Sequence, residues 1–234
     1  MEEKIYTIPI NEAFDKKSGC PLCSLAADLE KSSLEYIMGA AMMEPDVRIE
    51  TNRLGFCRAH YDKMSAMKNR LSLALMLESR LPAVRERVVP SEIKTGKLSK
   101  FKKNDTDDSG MRVQAAASSC YVCSRAAMFE KQYVSNLIYM YKKDEAFREK
   151  LRLQEYFCLS HFGKLLQVGK EELSEALYAQ LSADLHKLQD SYFDRITDAV
   201  TAFCRSFDHQ NAGKPLTDEQ ISAVSDAIDF LAGK

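Results

Sequence analysis

Tryptophan is absent from the 234 residues, and glycine (9) and proline (6) are scarce. A sandwich or barrel of many short strands needs turn residues at regular intervals, and this chain does not have them. Leu, Ala, Met, Glu and Lys are abundant instead, which favours helices. Neither sign of charge dominates: 33 basic residues face 34 acidic ones, for a net charge of −1. The chain therefore has no global field to gather nucleic acid or an anionic membrane. No unbroken apolar run reaches the roughly 18–20 residues of a membrane-spanning helix. The opening "MEEKIYTIPINEAF" is acidic and lacks the apolar core of a signal peptide. The expectation is a cytoplasmic protein with no membrane partner. No phosphate-binding loop, dinucleotide fingerprint or nucleophile elbow occurs. With 45% hydrophobic and 29% charged residues, the composition is that of an ordinary globular chain long enough to bury a core.

What the chain does have is a phrase written twice. "CPLCSLAADLEK" stands at residues 20–31 and "CYVCSRAAMFEK" at 120–131. Each is followed some thirty residues later by a C-x2-H pair, in "LGFCRAHY" and "EYFCLSHF". Six of the seven cysteines and two of the four histidines thus fall into four pairs: Cys20 with Cys23, Cys57 with His60, Cys120 with Cys123, and Cys158 with His161. Phe56 and Phe157 precede the third cysteine of each set, and Lys63 and Lys164 follow the histidine. Such recurrence at a fixed offset indicates two similar units. In a reducing compartment the spacing points to metal ligands rather than disulfides.

Apolar residues at helical spacing place a helix after each C-x2-C pair: Ala26, Leu29, Ser33, Ile37 and Ala40 in one, Ala126, Phe129, Tyr133, Leu137 and Met140 in the other. A helix over 24–42 travels about 28 Å. The stretch 43–56, if extended, is long enough to return to the start. On that basis Cys57 and His60 are expected to join Cys20 and Cys23 on one ion, and Cys158 and His161 to join Cys120 and Cys123 on a second. The sequence "DEAFREKL" suggests a short helix within the second return. The organisation expected is a first unit over 1–89, a polar linker or loop over 90–118, a second unit over 119–170, and C-terminal helices over 171–234 packing on both. Leu173, Leu177, Leu181, Leu185, Leu188, Tyr192, Ile196, Val200, Phe203 and Phe207 mark one long amphipathic helix or two with a break. Thr217 and Gln220 fit a capping box that opens a last helix. The fold class is all-α: two similar zinc-stapled helical units with a long C-terminal amphipathic helix.

Three thiolates and one imidazole per set suit zinc, giving two ions per chain with all four tetrahedral positions filled. Iron–sulfur ligation is the main metal alternative. A c-type haem is excluded because no C-x2-C is followed directly by His. A closed sphere argues against a catalytic metal, which keeps a position open for water or substrate. His186 and His209 have no matching partner in sequence and read as surface or helix-packing histidines. Cys204, one residue past Phe203, reads as a buried thiol. Lys94, Lys97, Lys100, Lys102 and Lys103 form a basic run, but Asp105, Asp107 and Asp108 follow at once. A solvated linker is therefore preferred to a nucleic-acid patch.

The pairs "CPLC" and "GFCRAH", echoed by "CYVC" and "YFCLSH", together with the closing "DAIDFLAG", resemble an uncharacterised family of bacterial cytosolic proteins of unknown function. The resemblance implies a helical zinc-binding fold and no established activity. The expected function is a non-enzymatic scaffold or regulatory protein with a protein partner or a homodimer. The alternatives are a thiol redox sensor that releases zinc, a nucleic-acid-binding zinc protein, and a metal-dependent hydrolase.

Overall fold

A computed structural model describes residues 6–89, 109–208 and 215–233. The described residues form eleven α-helices and no strand. In chain order these are α1 (Thr7–Asp15), α2 (Pro21–Met38), α3 (Pro45–Leu54), α4 (Arg58–Ala66), α5 (Arg70–Val88), α6 (Ser109–Ser118), α7 (Tyr121–Lys143), α8 (Glu145–Arg152), α9 (Leu159–Glu172), α10 (Glu175–Ser206) and α11 (Asp218–Ala232); a 3-10 turn over Ala40–Met43 precedes α3. None of them is long and apolar enough to cross a membrane.

The local signals explain most of these boundaries. Pro21 opens α2 in the first turn, where a backbone N–H has no helical partner to lose. Asp144 caps α8, accepting from the Ala146 N–H. Thr217 and Gln220 make the reciprocal bonds of a capping box at α11. The C-terminal stripe from Leu177 to Phe203 is a single helix, α10, of 32 residues and about 48 Å, while Leu173 ends α9 and Phe207 follows α10. The stretch after His60 is two helices, because Asn69 caps a new one by accepting from Ser72 N–H. Ser109–Ser118, expected as the end of a linker, is the helix α6. The lysine run, the three aspartates after it and His209 lie outside the described residues.

The chain divides into two compact units: residues 1–28 with 129–234, and residues 29–128. The units expected from the sequence follow one another in order over 1–89, 90–118, 119–170 and 171–234, whereas the second unit here is an insertion whose ends fall inside α2 and α7. Both C-terminal helices, α10 and α11, belong to the first unit.

The first unit buries Phe14, Leu137, Tyr141, Phe147, Phe157, Leu165, Leu181 and Leu185 in its core. Tyr156 stacks on Tyr192 with ring centroids 4.1 Å apart, and Phe230 of α11 closes on both rings. Buried Gln189 holds the backbone just before Cys158: the Phe157 N–H donates to its Oε1 at 3.0 Å, and its Nε2 donates to the Phe157 carbonyl at 2.7 Å. The second unit has a smaller core built on Leu34, Ile37, Met38, Phe56, Met64, Met76 and Val122. Its counterpart of Gln189 is Arg80, 7% exposed, whose guanidinium donates to the carbonyls of Asn52, Arg53, Leu54 and Ala116. It thereby satisfies the C-terminal carbonyls of α3, which ends three residues before Cys57.

Candidate metal centres

All eight cysteine and histidine ligands expected from the sequence come together in two clusters. Within each cluster the ligand atoms lie within 4.8 Å of one another. Their membership corrects the expected pairing. Cys20 and Cys23 meet Cys158 and His161, whereas Cys57 and His60 meet Cys120 and Cys123. Each C-x2-C is completed by the C-x2-H from the other half of the chain.

The reason lies in the return path. The residues after α2 are not extended: α3 winds ten of them into a helix, which rises only about 15 Å against about 27 Å for the 18 residues of α2. The return therefore stops beside Glu30, eight residues back from Met38, where the His60 Nε2–H donates to Glu30 Oε1 at 2.7 Å. It does not reach Cys20. The first cluster lies wholly in the first unit and the second wholly in the second.

Each pair occupies the same place in a helix. Cys57 and Cys158 are the N-caps of α4 and α9, and Cys20 and Cys120 immediately precede α2 and α7. The carbonyls of all four accept the first helical bond, from Ser24, Tyr61, Ser124 and Phe162. A spacing of three then puts the second ligand at N3, so both side chains project past the helix end. There the free N–H groups and the positive end of the helix dipole favour thiolate. In α7 the Cys123 N–H donates to Cys120 Sγ at 3.5 Å. Each centre thus joins two helix N-termini, α2 with α9 and α7 with α4. This positive field would offset the net −1 charge that three thiolates on a divalent ion would carry.

The sulfurs and imidazole nitrogens are at close range. His161 Nδ1 lies 3.4 Å from Cys20 Sγ, 3.4 Å from Cys23 Sγ and 3.1 Å from Cys158 Sγ. His60 Nδ1 lies 3.0, 3.3 and 3.5 Å from the sulfurs of Cys57, Cys120 and Cys123. Cys23 and Cys158 sulfurs are 3.6 Å apart, and those of Cys57 and Cys123 are 3.9 Å apart. Without an ion the clusters hold protons. Burial disfavours a charged His161, but the Cys158 and Cys23 sulfurs outweigh it and push the imidazole up to about 10. Burial and the neighbouring Cys120 and Cys57 push the Cys123 thiol up to about 12. A metal must displace these protons, so its affinity falls as the pH drops.

The model of one protein family matches residues 1–234. The chain belongs to the family of unknown function DUF6062. No curated protein and no solved structure matches this DUF6062 chain.

Two residues that sequence reasoning passed over complete the centres. Glu30 and Glu130 each stand seven residues after the second cysteine and occur in both copies of the repeated phrase; that identity was the available signal. With Nε2 carrying the proton, His60 donates to Glu30 and His161 donates to Glu130 at 2.8 Å. Both imidazoles are so held with the Nδ1 lone pair aimed at the sulfurs. Lys63 and Lys164, the echoed lysines, bond the same carboxylates. Burial raises the Glu30 carboxyl, but Lys63 and His60 more than offset it and hold it below the usual carboxylate range. Glu30→Ala is expected to weaken metal binding about 10–100-fold at the second centre alone, and Glu130→Ala at the first alone. Competition against a chromophoric chelator reads this, and equal weakening of both centres by either variant would contradict the assignment.

The other candidates stay apart. His186 is an exposed residue of α10 whose Nδ1–H donates to the Ser182 carbonyl while its ring packs edge-on to Phe162. Cys204 is exposed rather than buried. One residue beyond Phe203 is a turn of about 100° around the helix, away from the packed side.

Proposed function

We propose that the protein is a non-enzymatic, cytoplasmic scaffold in which one zinc ion staples each compact unit. The observation that carries this reading is the closed four-ligand geometry. A tetrahedral zinc with sulfur at about 2.3 Å and nitrogen at about 2.0–2.1 Å sets S···S edges near 3.8 Å and S···N edges near 3.6 Å. The sulfur pairs at 3.6 and 3.9 Å fit that frame, and the S···N distances of 3.0–3.5 Å are somewhat shorter than its edges. Four protein ligands leave no position for water or substrate, which favours a structural ion over a catalytic one. Zinc would supply cohesion here: it ties α2 to α9 and α7 to α4, with Glu30 and Glu130 orienting the imidazoles.

A partner surface accompanies this reading. On α11, Ile221, Val224, Ile228 and Leu231 are exposed at spacings of three, four and three. A stripe of that kind suits docking of a protein helix, from a partner or a second copy.

The test counts metal in paired variants. Cys20→Ser with Cys158→Ser removes ligands from one centre and should leave about one zinc per chain. Cys20→Ser with Cys57→Ser damages both centres and should leave almost none. The reverse pattern would restore the sequential pairing, and iron or no metal in the unaltered chain would overturn the zinc scaffold.

A further inference from the structure

The two centres are matched in chemistry but not in shielding. In the first, Cys20, Cys23, Cys158 and His161 are between 1% and 6% exposed. The end of α11 closes over it: a methyl group at Gly233 would lie 3.4 Å from Cys158 Sγ and 3.6 Å from Cys23 Sγ. In the second centre Cys120 and His60 are buried, but Cys57 is half-buried and Cys123 is exposed. The sulfurs of these two less buried residues are the pair 3.9 Å apart. The Tyr121 N–H donates to the Gly55 carbonyl at 2.8 Å and keeps their two segments side by side.

We propose that the second centre is an oxidant-responsive metal site, in which a hydroperoxide converts Cys57 and Cys123 to a disulfide and releases the ion while the first centre keeps its own. The proposal rests on the reading that both centres hold zinc. In the first step Cys123 Sγ attacks a peroxide oxygen: an S–O bond forms, the O–O bond breaks, and the departing oxygen takes a proton and leaves as water (from an alkyl hydroperoxide, as the alcohol). Cys57 Sγ then attacks Cys123 Sγ: the S–S bond forms, the S–O bond breaks, and the oxygen leaves as water with a proton from solvent. Two electrons pass from the sulfur pair to the peroxide. The ion is left with Cys120 and His60 and dissociates. Exposure decides which centre reacts, because the ligand sets are alike. A cavity of about 170 Å³ does border Cys20 and Cys23, beside Tyr156 and Asp229, yet each of these cysteines is only 4% exposed.

The experiment uses the full chain carrying two zinc ions, treated with hydrogen peroxide in the presence of a chromophoric zinc chelator. Disulfides are mapped by non-reducing peptide mass spectrometry. The expected result is release of one of the two ions, a Cys57–Cys123 disulfide, and rebinding after reduction. In parallel, a small alkylating reagent should label Cys123 about tenfold or more faster than Cys20, Cys23 or Cys158, with exposed Cys204 as the internal reference. Simultaneous loss of both ions, a disulfide through Cys20, Cys23 or Cys158, or oxidation of Cys204 with both ions retained would overturn this proposal alone. A chain that starts with fewer than two ions overturns both this proposal and the zinc scaffold.

Discussion

Stripping both ions with a strong chelator is expected to unfold the second unit while the first keeps most of its helices. Among the described residues the first unit's apolar cluster contains twenty-four buried residues and the second's contains nine, four of which adjoin or belong to the candidate metal centre (Phe56, Cys120, Tyr121 and Val122). A core of that size does not offset the conformational entropy of the unit's roughly eighty described residues, so a metal staple would carry a large share of its stability. Structural zinc in small domains contributes on the order of 10 kcal/mol or more at neutral pH. Hydrogen exchange read by mass spectrometry checks this directly. Amides in α3, α4 and α5 should lose protection on chelation, and those in α9 and α10 should hold it. Equal loss across both units, or none in either, would contradict the unequal reliance on metal.

The second large effect is expected at Gly55. This residue ends α3 with φ +64 and ψ −156, a backbone region that side chains disfavour strongly. A Cβ there would also stand 2.9 Å from Nε and Nη2 of Arg80. Arg80 cannot easily retreat, because its guanidinium is buried and already satisfies four backbone carbonyls. Gly55→Ala combines backbone strain with a displaced buried cation, and should destabilise the second unit by about 3 kcal/mol. Its melting midpoint should fall by roughly 10 °C or more. Because Gly55 lies two residues before Cys57 and accepts from Tyr121 N–H beside Cys120, the variant should also lose the ion of the second centre first. A midpoint within a degree or two of the unaltered protein, with both ions retained, would show that Arg80 and the turn adapt without cost.

These two effects fall in a region whose importance was only half legible in the sequence. Phe56, Cys57 and His60 stand out by their echo in Phe157, Cys158 and His161. Arg80 has no such echo. A buried arginine bound to carbonyls rather than to a carboxylate follows no spacing rule, and only the packing of α5 against α3 and α6 assigns it. Glu30 and Glu130 lie between these cases: they are identical in the two phrases, but nothing local says that a carboxylate seven residues from a cysteine will meet a histidine. Cys204 was misjudged because apolar periodicity locates the packed side of a helix only to within a residue.

The sequence by itself determined the chemistry: eight candidate ligands in four pairs, an all-helical chain, and the cap at Thr217. These are local properties, since an N-cap with its N3 neighbour, or a stripe at spacings of three and four, is set within one or two turns. Which pair meets which was decided by the tertiary structure alone. Both pairings assemble the same three sulfurs and one nitrogen, so ligand chemistry does not distinguish them. The lengths of α2 and α3 do, because a ten-residue helix cannot undo an eighteen-residue one. Tertiary structure also made the matched centres unequal, by ending α11 against Cys158 and Cys23 and leaving Cys123 open to solvent.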